Sequence, residues 1–156
     1  VFILGAYGGL RKNEILLTKW EHVDWEKKRL FVPGTKTEAS LNYIPLHDAL
    51  HDALIPYRQS SGFIVRREKT ETTSKYRAYC RRELEKVIAI FNEQRIIYGD
   101  APVKVTLHQL RHSVATHLLD CGYTLQQVAV FLRHASDIPT RRYADLKGVS
   151  LEIDKF

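Results

Sequence analysis

The stretch from Leu107 to Leu119 constrains the fold more than any other, because one charged residue falls where a helical wheel leaves room for apolar side chains. At about 100° per residue, Leu107, Leu110, Val114, Ala115, Leu118 and Leu119 share one broad face. Arg111 projects into that face between Ala115 and Leu118, and His108 lies at its margin on the same side. Such a helix must be covered along its apolar face, so the chain has to build a core around it. A guanidinium aimed into that core costs several kcal/mol if it finds no counter-charge. Two partners are open: a carboxylate from the chain's 18 acidic residues, or an anion that arrives later. A helix start, with its free amides and positive dipole end, makes a phosphate an equal reading.

The flanking sequence fixes this helix and its successor. Thr106 with Gln109 and Thr124 with Gln127 are capping boxes, and Gly122 closes the first helix between them. The second carries the stripe Leu125, Val128, Ala129, Leu132, and His134 follows its final turn. A histidine there is ordinarily a C-terminal cap. Tyr143 falls on a further short helix opened by Ser136 or Asp137 and Pro139. Taken alone, it reads as a packing residue.

Upstream, Val1 to Tyr7 reads as the end of a buried helix closed by Gly8-Gly9, and a second helix runs from Arg11 to Thr18. From Trp20 to Leu46 the helical period gives way to short apolar runs: His22 to Trp25, Arg29 to Val32 and Leu41 to Ile44. Turn chemistry at Pro33-Gly34 separates the last two. Helices return at His47 to Tyr57 and at Ser74 to Tyr98, where Tyr76, Tyr79, Cys80, Leu84, Val87, Ile88 and Phe91 form one stripe. The expected fold class is α+β, a mainly helical domain with a small antiparallel three-stranded sheet.

At 156 residues the chain has room for one domain. Its formal charge of +6 favours a polyanionic partner without identifying it. Cys80 and Cys121 are too few and too far apart for a disulfide scaffold or a four-cysteine zinc site, which favours a reducing cytoplasm. The first apolar run is too short for a signal peptide or a membrane span, and no membrane partner is expected. The chain has no Met and opens inside an apolar segment, as expected of a domain taken from a longer protein. Residues 148–156 read as a tail.

The run from His108 to Leu119, with Gly122, then Leu132-Arg133-His134-Ala135-Ser136, then Tyr143, resembles the second conserved box of the tyrosine recombinases, the phage integrase family. Gly9-Leu10-Arg11-Lys12-Asn13-Glu14 resembles the first box. Thr35-Lys36-Thr37 ahead of Ile44-Pro45-Leu46 resembles the hairpin that carries a catalytic lysine. The likeness runs from Val1 to Leu146. The chain departs from it at Arg133, where the family usually has glycine, and in the hairpin, where Asn42 lies near the place of a usual arginine.

The resemblance implies a catalytic domain over residues 1–156 that lacks the family's N-terminal DNA-binding domain. It implies a DNA-cutting and rejoining enzyme that works without metal or cofactor, with Arg11, Lys36, His108, Arg111, His134 and Tyr143 as catalytic residues. Arg11 and Arg111 would clamp the phosphate, and Tyr143 would attack it to form a 3′-phosphotyrosine. His108 would accept the tyrosine's proton, His134 would hydrogen-bond a phosphate oxygen, and Lys36 would protonate the leaving 5′ oxygen. Arg66, Arg67, Lys69, Arg77, Arg81, Arg133, Arg141 and Arg142 are candidate DNA contacts. The implied partners are double-stranded DNA and further copies of the chain, as a tetramer on DNA, for a bacterial or phage-encoded protein of the cytoplasm associated with the nucleoid. Two other readings stand beside this one, a type IB topoisomerase-like enzyme and a non-enzymatic helix-turn-helix module built from residues 107–134. A zinc site at His108 and His112 lacks the glutamate that the zinc-protease pattern needs, because Gln109 stands there.

Overall fold

A computed structural model of the chain describes residues 1–33, 43–65 and 73–133. Two short helices, α1 (Phe2–Ala6) and α2 (Lys12–Leu17), lead through a 3-10 turn at Trp20–His22 into the strands β1 (Val23–Asp24), β2 (Arg29–Phe31) and β3 (Tyr43–Pro45). There follow α3 (Asp48–Leu54), a 3-10 turn at Ile55–Tyr57, the long α4 (Thr73–Ile97), α5 (Leu107–Asp120) and α6 (Leu125–Phe131).

The strands form the expected antiparallel sheet in the order β1-β2-β3, with Val23 opposite Leu30, Leu30 opposite Ile44, and Phe31 opposite Tyr43. Alternation decides its two faces. Leu30 and Ile44 point into the core, where they are almost wholly buried, while Arg29 and Phe31 pack on Tyr43 on the other side. The core beneath the sheet joins Leu4 of α1, Leu10 of the following turn and Ile15 of α2 to Leu50 and Leu54 of α3 and to Tyr76 and Cys80 of α4. The Tyr76 hydroxyl donates to the Val65 carbonyl, so this large side chain is buried with its polar end satisfied.

Helix α5 crosses α1 at Gly5, where an added Cβ would stand 3.2 Å from Leu107 and 3.3 Å from Leu110. Val114 and Ala115 of α5, with Val128 and Leu132 at the other side, form a second core. Phe131 packs on both cores and so connects α6 to the rest. Both expected capping boxes are present: Thr106 accepts from the Gln109 amide and Thr124 from the Gln127 amide. Gly122 turns the chain between the helices at φ +85°.

Two helices differ from the sequence reading. The segment from His47 to Tyr57 is α-helical only to Leu54, and Pro56 lies in the 3-10 turn that ends it. Helix α4 has the expected length, but its stripe is buried only at Tyr76, Cys80 and Leu84, with Val87 and Phe91 exposed. Packing from the short helices α1 and α2 falls on α4, and burial along the stripe stops at Leu84. The hairpin tip with Lys36, the loop with Arg66, Arg67 and Lys69, and the helix expected around Tyr143 lie outside the described residues.

Candidate active site

The site is built on the first turn of α2. Arg11 is its N-cap, in extended conformation, and its backbone N–H donates to Glu14 Oε2 at 2.7 Å. The Arg11 side chain turns the same way, with Nη1 donating to Glu14 Oε1 at 2.8 Å. One carboxylate therefore caps the helix and orients the arginine that begins it. Ile15 and Leu16 bury this side of α2 in the core, so Glu14 is itself only 1% exposed. The Arg11 side chain remains 41% exposed.

Arg111 opens the second turn of α5, and its side chain is 4% exposed. Its guanidinium does not turn back to the amides of its own helix, whose first turn is occupied by the Thr106 cap. It reaches across to the α1–α2 turn and the end of α6, donating to the carbonyl of Gly9 through Nη1 and to that of Leu132 through Nη2. Glu14 Oε2 stands 3.9 Å from Nη1, within ion-pair range but beyond a hydrogen bond. Gly9 makes this possible: it holds φ +59°, and a Cβ there would lie 2.7 Å from Leu132. The absence of a side chain lets the α1–α2 turn and the end of α6 meet over the arginine.

Arg133 completes the cluster from the end of α6. It is one of two described non-glycine residues with positive φ, at +53°, and its side chain is wholly buried. Nη2 donates to Glu14 Oε2 at 2.8 Å and Nη1 to the Phe131 carbonyl at 2.8 Å, while Nε has no partner among the described residues. The Arg133 carbonyl in turn accepts from Arg11 Nη2 at 3.0 Å. Expected as a DNA contact, this guanidinium instead faces a buried carboxylate.

Three guanidinium groups thus surround one carboxylate, a local charge of +3 − 1 = +2 among the described residues. Burial alone would push the Glu14 carboxyl up. The hydrogen bond and charge of Arg133, together with the bonds from Arg11, outweigh that and hold it below its ordinary value. Burial pulls the Arg133 guanidinium down, Glu14 holds it up and the neighbouring Arg11 opposes it. The excess positive charge reaches solvent through half-exposed Arg11. That is the electrostatic requirement for holding an oxyanion.

His108 lies exposed in the first turn of α5, its ring 4.2 Å from that of His112 in an edge-to-face contact. Partial burial, then the charges of His108 and Arg111, lower the His112 pKa and favour its neutral form. Arg77, on α4, reaches Asn13 at 3.2 Å, two residues from Arg11, and Arg81 pairs loosely with Glu85 at the surface. Lys36, His134, Tyr143, Arg66, Arg67, Lys69, Arg141 and Arg142 lie outside the described residues.

Sequence reasoning did not find the roles of Glu14 and Arg133. A signal existed for the first, since Arg111 needed a carboxylate and Glu14 directly precedes the apolar run Ile15-Leu16-Leu17 in the helix begun by Arg11. For Arg133 the signal was position: it directly follows the last apolar residue of a helix, where a left-handed residue is common.

Residues 2–148 match the Phage integrase family. Among curated proteins, the chain is 33% identical over 156 residues to tyrosine recombinase XerA of Pyrococcus furiosus, covering 97% of this chain and 51% of that protein. It is 27% identical over 149 residues to tyrosine recombinase XerC of Pediococcus pentosaceus, covering 94% of this chain and 49% of the relative. The chain therefore spans about half the length of the curated relatives it matches. Among solved structures, a XerA recombinase crystal structure superposes with a TM-score of 0.64 at 20% identity, covering 98% of this chain and 55% of that one. The Tn1549 transposon integrase in complex with transposon right end DNA gives 0.68 at 18% identity, covering 90% and 51%. These likenesses establish the shared fold.

Proposed function

The chain belongs to the phage integrase family, and on that premise we propose that it cuts and rejoins DNA through a covalent bond to Tyr143. The observation that carries this reading is the cluster in which Arg11, Arg111 and Arg133 share the single buried carboxylate of Glu14. A structural ion pair would need one arginine. Among the described residues this leaves a surplus of two positive charges, which fits a site that receives a phosphate diester.

In the proposed reaction, the Tyr143 oxygen attacks the scissile phosphorus as the bond to the 5′ oxygen breaks, leaving a 3′-phosphotyrosine. The tyrosine proton passes to His108, and Lys36 supplies a proton to the departing 5′ oxygen. Arg11 and Arg111 stabilise the charge that builds on the nonbridging oxygens, which in a dry, preorganised site removes the need for a metal. His134 hydrogen-bonds one of those oxygens. Rejoining runs the same transfers backwards, with a 5′ hydroxyl attacking the phosphotyrosine. The substrate is double-stranded DNA, bound with several copies of the chain, and the setting is the cytoplasm.

Helices α5 and α6, joined at Gly122, have the lengths of a helix-turn-helix, but Arg111 and Arg133 turn inward to the cluster, which a simple reader of DNA does not need. A nicked suicide duplex separates the readings. The recombinase forms a denaturation-resistant adduct that is lost in Tyr143→Phe, whereas a binding module forms none.

A further inference from the structure

The Arg133 guanidinium is buried, yet it stands at an uncommon backbone conformation for a side chain and leaves its Nε without a partner among the described residues. Both features are unfavourable, and glycine would avoid both. What the residue obtains is Glu14 Oε2 at 2.8 Å. That oxygen is also the one nearest Arg111, at 3.9 Å, and it accepts the Arg11 backbone N–H.

Without Arg133, a full negative charge would sit between the two arginines that clamp the phosphate, and the cluster would fall from +2 to +1. The carboxylate, already bonded to Arg11 through Oε1, would then compete with substrate for Arg111 as well. With Arg133 present, Oε2 takes a hydrogen bond from a group that cannot reach substrate, since its side chain is wholly buried. Arg111 donates to two carbonyls, which orient it without cancelling its charge. The Arg133 carbonyl, part of the peptide that continues to His134, also accepts from Arg11.

We propose that Arg133 is a positioning residue for DNA cleavage: it takes up Glu14 Oε2 and balances its charge, so that Arg111 is not drawn onto the carboxylate and the cluster keeps its positive charge for the scissile phosphate. This rests on the recombinase reading above. The role is electrostatic, so it depends on the charge at position 133 rather than on the shape of its fork. Among the described residues, the charged groups facing Glu14 are Arg11 on its own helix, Arg111 from α5 and Arg133 from the end of α6.

The test compares Arg133→Lys with Arg133→Met, which share the strained backbone and the bulk but differ in charge. Single-turnover cleavage of the nicked suicide duplex and affinity for the uncut duplex are measured at one salt concentration, with melting temperatures followed in parallel. The lysine variant should cleave within about threefold of the parent protein and the methionine variant about tenfold slower or worse, a modest share of the loss expected for removing a direct donor. Affinity should change less than twofold in both, because the side chain is not at the surface. Adding Glu14→Gln to Arg133→Met removes the unshielded charge and should restore cleavage at least threefold over Arg133→Met alone. Equal cleavage by the lysine and methionine variants, or no restoration by Glu14→Gln, overturns the proposal. The parent protein serves as the control for the underlying reading: if it forms no adduct, the recombinase assignment falls first.

Discussion

Replacing Glu14 with alanine is the perturbation that weighs the arginine cluster most directly. The change removes both acceptors of a carboxylate that is 1% exposed and leaves three guanidinium groups facing one another. The Arg11 bond contributes little, under ~1 kcal/mol, because that side chain is 41% exposed and water screens the pair. Arg111, at 3.9 Å and already bonded to two carbonyls, adds little more. Arg133 dominates, since its wholly buried guanidinium would lose its counter-charge. Breaking a buried pair by removing one partner costs about 3–5 kcal/mol. For a chain of this length that lowers the melting temperature by on the order of 10 °C. Urea denaturation of both proteins at pH 7 measures the difference, and a loss below about 1 kcal/mol would mean that the cluster is solvated and the reasoning wrong.

The same pair of proteins carries a pH signature. The folded-state carboxyl of Glu14 titrates below its ordinary value of 4.5, so it contributes stability that is fully present above that value. The contribution is lost as pH falls through the lower, folded value. The stability difference between parent and Glu14→Ala should therefore stay flat from neutral pH to about 5.5 and shrink only below about 4.5. A difference that already declines between pH 7 and 6 would assign the effect to a histidine instead.

Arg111→Lys should fold but lose adduct formation by about 10²-fold or more, since one ammonium cannot span the two carbonyls and also present a donor fork to phosphate; a gel count of covalent complex measures it. Gly9→Ala should destabilise by about 2 kcal/mol or more in thermal unfolding, because the new methyl meets Leu132 at 2.7 Å and the backbone is left-handed there. Thr106→Ala and Thr124→Ala should each cost about 1 kcal/mol in urea denaturation through loss of the cap, and the two losses should add.

The architecture was legible wherever a local pattern settled it. The capping boxes at Thr106 and Thr124 set the starts of α5 and α6, and the short apolar runs around Leu30 and Ile44, with turn chemistry at Pro33-Gly34, marked the sheet. Stripe reading failed on α4 because periodicity reports which face is apolar and says nothing of how far a neighbour extends. Val87 and Phe91 continue the pattern past the reach of α1 and α2. In the site, Arg111 was conspicuous because it broke an apolar face. Glu14 was quieter: an acid three residues after an arginine looks like an ordinary surface pair until the fold buries it. Arg133 could not be read correctly from composition, since a basic residue beside a histidine in a basic protein suggests DNA. Only its left-handed backbone and the approach of α2 turn it inward.

The proposed convergence of Arg11, Arg111 and Tyr143 at one phosphate is tested most directly by mass spectrometry of the trapped covalent complex. After nuclease and protease digestion, the peptide containing Tyr143 should carry the mass of a 3′-linked nucleotide, and the modification should vanish in Arg111→Ala as well as in Tyr143→Phe. A nucleotide found on any other residue, or an adduct that survives without Arg111, would contradict it.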